Sequence, residues 1–128
     1  MNESGNSMSA SPSAAVERIT PERAREMVEA GNAVLVDIRE PEELRQTGKA
    51  EGALAIPSGL LAFKADPEDS MVDPNFSTDK PVILYCAAGG RAARAGEMLK
   101  DMGYVHVFNM GGFKDWAAAG LPVEPAGE

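Results

Sequence analysis

Pro81-Val82-Ile83-Leu84-Tyr85-Cys86-Ala87-Ala88-Gly89-Gly90-Arg91 passes from an apolar strand pattern, through a short glycine-bearing loop, into the opening of a helical pattern. Residues 82–85 show no polar alternation, the pattern of a strand covered on both faces, as in a parallel sheet. Cys86 is the only cysteine in the chain. A thiol at the mouth of a strand and just before a helix N-terminus meets backbone N–H groups and a helix dipole that both favour negative charge. Such a setting turns a thiol with an ordinary pKa of about 8.5 into a competent nucleophile. Gly89 and Gly90 permit positive φ, so the loop can curl until several N–H groups converge. Packing alone requires neither the glycines nor the arginine that follows.

Outward from this stretch, apolar runs alternate with helical patterns. Residues 16–19 predict a short strand. Thr20-Pro21-Glu22 then starts a helix, with Thr20 as N-cap, Pro21 at the first position and Gly31 as the stop. Residues 33–36 form a second continuous apolar run, and 42–46 predict a short helix ending near Gly48. Residues 53–56 predict a brief strand. Leu60, Leu61 and Phe63 indicate one or two helical turns, followed by a polar connection to residue 79. After the cysteine loop, Ala95, Met98, Leu99 and Met102 fall at helical spacing up to Gly103. A last strand is expected at 105–108 and a last helix at 113–119, closed by Gly120. Strands alternating with helices across short loops define an α/β fold with a mostly parallel sheet and helices on both faces.

The chain has 128 residues, room for one domain with a single core. Residues 1–15 are rich in Ser, Asn and Ala and read as a disordered segment, with too little apolar surface to offset the entropy of ordering. They lack the basic start and apolar stretch of a signal peptide. From Pro122 onward the chain reads as a fraying end, with 124–128 a flexible tail. A net charge of −8 argues against nucleic acid or an anionic membrane as partner. No apolar run approaches the roughly 18–20 residues of a membrane span. A single cysteine, which cannot form an internal disulfide, points to a reducing cytoplasm.

Within this acidic chain, Arg91 and Arg94 stand in the first turn of the helix after the cysteine loop. Cations there oppose the helix dipole by about 0.3–1 kcal/mol each. No acid intervenes along the helix before Glu97, so a thiolate or bound anion at the loop is the expected compensation. Lowering the thiol pKa by two units takes about 2.7 kcal/mol, within reach of a few N–H groups and a guanidinium.

These residues resemble single-domain members of the rhodanese family of sulfurtransferases. The pieces that carry the resemblance are Asp37-Ile38-Arg39-Glu40-Pro41-Glu42-Glu43, Gly52-Ala53 leading to Ile56-Pro57, and Val82-Ile83-Leu84-Tyr85-Cys86 with Gly89 and Arg91. Met102-Gly103-Tyr104 and Gly111-Gly112-Phe113-Lys114-Asp115-Trp116 complete the set. They stand in family order across residues 16–123. The resemblance implies a five-stranded parallel sheet and a two-step sulfur transfer without metal or organic cofactor. Cys86 would take a sulfane sulfur from a small donor, thiosulfate or a persulfide. It would pass that sulfur to cyanide, a cellular thiol or a protein acceptor. The loop Ala87, Ala88, Gly89, Gly90 and Arg91 would cradle the persulfide, with Arg91 orienting an anionic donor. Arg94, Asp37 and Arg39 are candidate supporting residues, and Asp37 and Arg39 read first as braces of neighbouring loops.

Two spacings refine the expectation. Related phosphatases and arsenate reductases place arginine six residues after the cysteine, and here it is the fifth. The tighter loop suits one sulfur atom rather than a tetrahedral oxyanion. Many thiosulfate-preferring members have arginine directly after the cysteine, where this chain has Ala87; this speaks against thiosulfate as the preferred donor. Lys49 stands where the family often has histidine, in a stretch read as structural. An interaction or sensing module with little turnover is the alternative of another class, and the intact loop argues against it. His106, without a second ligand nearby, and the methionines read as structural residues, and Trp116 with Phe113 as the anchor of the last helix.

Overall fold

The computed structural model describes residues 16–126. The segment 1–15, read above as disordered, lies outside the described residues. Strand β1 (Glu17–Arg18) leads to helix α1 (Pro21–Glu29), whose N-cap Thr20 accepts a hydrogen bond from the Arg23 N–H at 3.0 Å. Strand β2 (Val34–Asp37), helix α2 (Pro41–Thr47) and the short strands β3 (Lys49–Ala50) and β4 (Leu54–Ala55) follow. Helix α3 (Ser58–Lys64) precedes the long connection. Strand β5 (Val82–Cys86), helix α4 (Gly90–Asp101), strand β6 (Val107–Gly112), helix α5 (Phe113–Ala118) and strand β7 (Val123–Glu124) complete the fold.

Five strands form a parallel sheet in the order β1-β6-β5-β2-β4. Both central strands, β2 and β5, are buried at every position, as their unbroken apolar runs require. Alternate residues feed two cores. Val34, Val36, Val82, Leu84 and Cys86 face Leu61, Ala95 and Leu99 from α3 and α4 on one side. Leu35, Ile83 and Tyr85 face Ala24, Phe113 and Trp116 from α1 and α5 on the other. Helices therefore cover both faces, as the alternating pattern predicts.

Three details differ from the sequence reading. The last sheet strand runs Val107–Gly112 rather than 105–108. Asn109, Met110 and the glycine pair continue β6 beside β5. The β5–β6 register slips between Leu84 and Tyr85, which pair with Asn109 and Gly111 and leave Met110 as an extra residue. Second, β3 and β7 form an antiparallel pair that no apolar pattern announces. Glu124, assigned to the flexible tail, pairs with Lys49 in that ladder and also holds its ammonium group. Buried Lys49 donates further to the Ala53 carbonyl at 2.7 Å. Third, in the connection after α3, Asp66, Asp69 and Asp73 each accept the N–H two residues on, at 2.8–2.9 Å. These local turns give a polar segment a defined path without an apolar pattern.

Tyr85, next to the cysteine, ties the sheet to the β3 ladder: its hydroxyl accepts the Ala50 N–H at 2.9 Å. Burial, then Asp37, raise the phenol pKa, so it stays protonated. Tyr85→Phe leaves the buried Ala50 N–H without an acceptor. Urea unfolding should show a loss of about 1–3 kcal/mol; an unchanged midpoint would contradict this role.

Candidate functional site

Cys86 closes β5, so its thiol sits at the carboxyl end of a central strand, where open parallel sheets hold ligands. The residue is 1% exposed, enclosed by the loop that follows. Gly89 takes φ +107° as N-cap of α4, a conformation unfavourable for other residues, and its N–H donates to Cys86 Sγ at 3.0 Å. Burial pushes the thiol pKa up. The N–H groups of Ala92, Ala88, Gly89 and Arg91 pull it down, and together they prevail. Ala92, one residue beyond the cradle expected from sequence, thus joins it.

The loop owes its shape to β6. Cys86 pairs with Gly112, and a Cβ on Gly112 would lie 2.1 Å from the Ala87 carbonyl oxygen. No other residue fits there without moving the loop. Buried Asn109 reaches across the same seam. Its Nδ2 donates to the Gly89 carbonyl at 3.1 Å, while its Oδ1 accepts the Gly111 N–H at 2.8 Å. Sequence reasoning passed over Asn109. Its only signal was one amide in an otherwise apolar strand ahead of two glycines.

Arg91 is oriented by an acid from another element. Its two terminal nitrogens donate to the two carboxylate oxygens of Glu43 on α2, each at 3.0 Å. Glu43 also accepts the Glu40 N–H at 2.9 Å, closing the first turn of α2. The guanidinium hydrogen bond holds the Glu43 pKa down at about 2. Arg91 is in turn stabilised in its charged form, first by Glu43 and further by Cys86. The charge balance sought along α4 is therefore met from α2. Arg94 is exposed and lines a separate hollow with Arg91, Ser58 and Met98.

Asp37 and Arg39 form a buried brace. Arg39 Nη2 meets Asp37 at 2.8 Å and the Gly48 carbonyl at 2.9 Å, and Nη1 reaches Thr47 at 3.0 Å. The guanidinium lies 4.5 Å from the centre of the Phe113 ring. With 0% and 4% exposure, the pair fixes how α2 and α5 approach the loop rather than meeting solvent. Trp116 is buried in the same core and donates to the Pro122 carbonyl at 2.7 Å. Above Ala87 lies a cavity of about 230 Å³, whose wall includes Glu43, Phe113 and Lys114.

The fold is thus a parallel α/β sheet that encloses a thiol of lowered pKa at the carboxyl end of a central strand. The rhodanese-like domain model matches residues 20–119, and the chain belongs to this family. It is 36% identical to thiosulfate sulfurtransferase GlpE of Actinobacillus succinogenes, over 84% of this chain and 90% of that one. With thiosulfate sulfurtransferase PspE of Escherichia coli it shares 39% identity over 64% of this chain and 72% of the relative. These relatives place it among rhodanese-type enzymes. Among solved structures, a Rhodopseudomonas palustris protein described as a possible tyrosine phosphatase superposes with TM-score 0.76 at 37% identity, covering 85% of each chain. The polysulfide-sulfur transferase homodimer of Wolinella succinogenes gives TM-score 0.69 at 27% identity, over 86% of this chain and 79% of that one.

The depressed Glu43 pKa fixes the sign of a stability test. Stabilisation by the Glu43–Arg91 pair is full above the ordinary carboxyl value of 4.5 and is lost as pH falls towards about 2. The pair is about one-third exposed, so Glu43→Gln should cost no more than about 1 kcal/mol at pH 7. In urea unfolding at a series of pH values, the difference between the two proteins should shrink as pH falls from 4.5 towards 2. A difference that stays constant across that window would exclude the pair as its source.

Proposed function

We propose that this protein is a sulfurtransferase that carries a sulfane sulfur on Cys86. The observation that carries the reading is the set of N–H groups converging on the Cys86 sulfur. They favour an anion at that point, whether thiolate or terminal persulfide sulfur.

The first half-reaction begins with the Cys86 thiolate attacking the outer sulfur of a donor. A new S–S bond forms at Cys86 as the donor's own bond to that sulfur breaks. The departing group leaves with the bonding pair, as sulfite from thiosulfate or as a thiolate from a persulfide. Charge and electrons balance without a metal, a cofactor or an external oxidant. In the second half-reaction an acceptor, cyanide or a thiolate, attacks the terminal sulfur and the Cys86 thiolate leaves. Dividing the transfer in this way predicts ping-pong kinetics. The amides of Ala88, Gly89, Arg91 and Ala92 serve both halves, because the sulfur anion they stabilise shifts by only one bond length. Arg91, held by Glu43, adds positive charge beside the sulfur without swinging away. Asp37 and Arg39 act at a distance, by holding α2 and the Phe113 ring in place.

The loop also bears on the phosphatase description given to one structural neighbour. With Arg91 five residues after Cys86, the backbone closes around a single atom. A chromogenic phosphate ester should therefore remain unhydrolysed.

Incubation with thiosulfate or a low-molecular-weight persulfide should add the mass of one sulfur atom to the intact protein. Cyanide should remove it as thiocyanate, and Cys86→Ser should gain nothing. Absence of any mass gain with every sulfane donor would rule out the carrier role.

A further inference from the structure

The cavity above Ala87 has an uneven charge balance. Four of its wall residues bear on this: Arg39, Glu43, Ala87 and Lys114. Arg39 is neutralised by Asp37 and Glu43 by Arg91, both through paired hydrogen bonds. Ala87, the residue directly after the nucleophile, offers no charge. Lys114 is exposed and forms no ion pair among the described residues. One positive charge without an ion pair thus lines the cavity beside Ala87, in a chain whose net charge is −8.

Backbone pairing fixes where that charge sits. Gly112 is the β-ladder partner of Cys86, and Lys114 follows two residues later, in the first turn of α5. Phe113, between them, packs under the Arg39 guanidinium, which anchors the backbone from which Lys114 projects. The cavity runs from Ala87, next to the nucleophile, along α2 to Gln46 and Thr47, giving room for the part of a donor that is not the transferred sulfur.

We propose that Lys114 is a specificity-determining residue that binds the anionic group of the sulfur donor, a sulfonate or carboxylate, while the outer sulfur faces Cys86. This rests on the sulfurtransferase reading above. Lys114 supplies the positive contact that Ala87 cannot, and the paired Arg39 and Arg91 remain committed to the scaffold and the loop. The transfer itself is unchanged: Cys86 forms the new S–S bond, and the anionic portion leaves with the bonding pair.

Three donors separate the outcomes: thiosulfate, the persulfide of 3-mercaptopropionate, and the persulfide of 2-mercaptoethanol, which carries no carboxylate. Lys114→Gln should lower kcat/KM about fivefold for one or both anionic donors, mainly through KM, and leave the 2-mercaptoethanol persulfide unchanged. Lys114→Arg should retain most of the activity, and Lys114→Glu should lose more than the glutamine variant. Loss on thiosulfate alone would identify a sulfonate site, and loss on the mercaptopropionate donor alone a carboxylate site. Equal kcat/KM for wild type and Lys114→Gln with both anionic donors, alongside normal Cys86 persulfide formation, overturns the Lys114 role and leaves sulfur transfer standing. An equal loss on all three donors also overturns it, since that marks a structural effect. If no donor loads Cys86 in the wild-type protein, both readings fall.

Discussion

The parallel pairing of β5 with β6 governs everything above it. That pairing sets Cys86 against Gly112, and the Ala87 carbonyl then passes so close to the Gly112 backbone that a methyl group there would sit 2.1 Å from the oxygen. The loop has nowhere to go but up and over, turning at Gly89 with its positive φ. Its amides consequently point inward at the sulfur. Asn109, satisfied on both sides of its amide, locks this arrangement from below, and an unpaired amide buried at that depth would carry a cost of about 1–3 kcal/mol. A seam between two strands thus turns backbone N–H groups onto a single sulfur atom.

The charges around that seam divide into those that hold and those that remain available. Asp37 with Arg39 and Glu43 with Arg91 are closed, multiply hydrogen-bonded pairs. Each links α2 to another part of the site, the first to the end of β2 and the second to the start of α4. Asp37 and Arg39 are almost fully buried, so removing one of them would leave a desolvated charge behind, the costly way to break such a pair. Their value lies in geometry. The two pairs fix how α2 stands against the end of β2 and the start of α4, and they hold Arg91 beside the Cys86 sulfur.

Much of the fold is legible along the chain because its cause is local. Unbroken apolar runs mark β2 and β5, Thr20-Pro21 marks the start of α1, and the Cys86–Arg91 spacing marks the loop. The less visible parts depend on contacts distant in sequence. The apolar pattern of β6 breaks at Asn109 and the two glycines, and only the pairing with β5 carries the strand on to Gly112. The partner of Glu43 is 48 residues away, and no helical spacing connects the two. Glu124 looked like part of a tail because its ladder partner, Lys49, is 75 residues distant. The burial of Asp37 and Arg39 is nearly complete, which a charged pair at the end of an apolar run does not announce.

Everything at the site turns on whether convergent backbone N–H groups outweigh burial at the Cys86 sulfur. Ultraviolet titration of thiolate absorbance measures this directly, since the chain has a single cysteine. The Cys86 thiolate should appear with an inflection clearly below the ordinary thiol value of about 8.5, and no such transition should remain in Cys86→Ser. An inflection at or above about 8.5 would mean that burial prevails and that the loop does not prepare the thiol for attack.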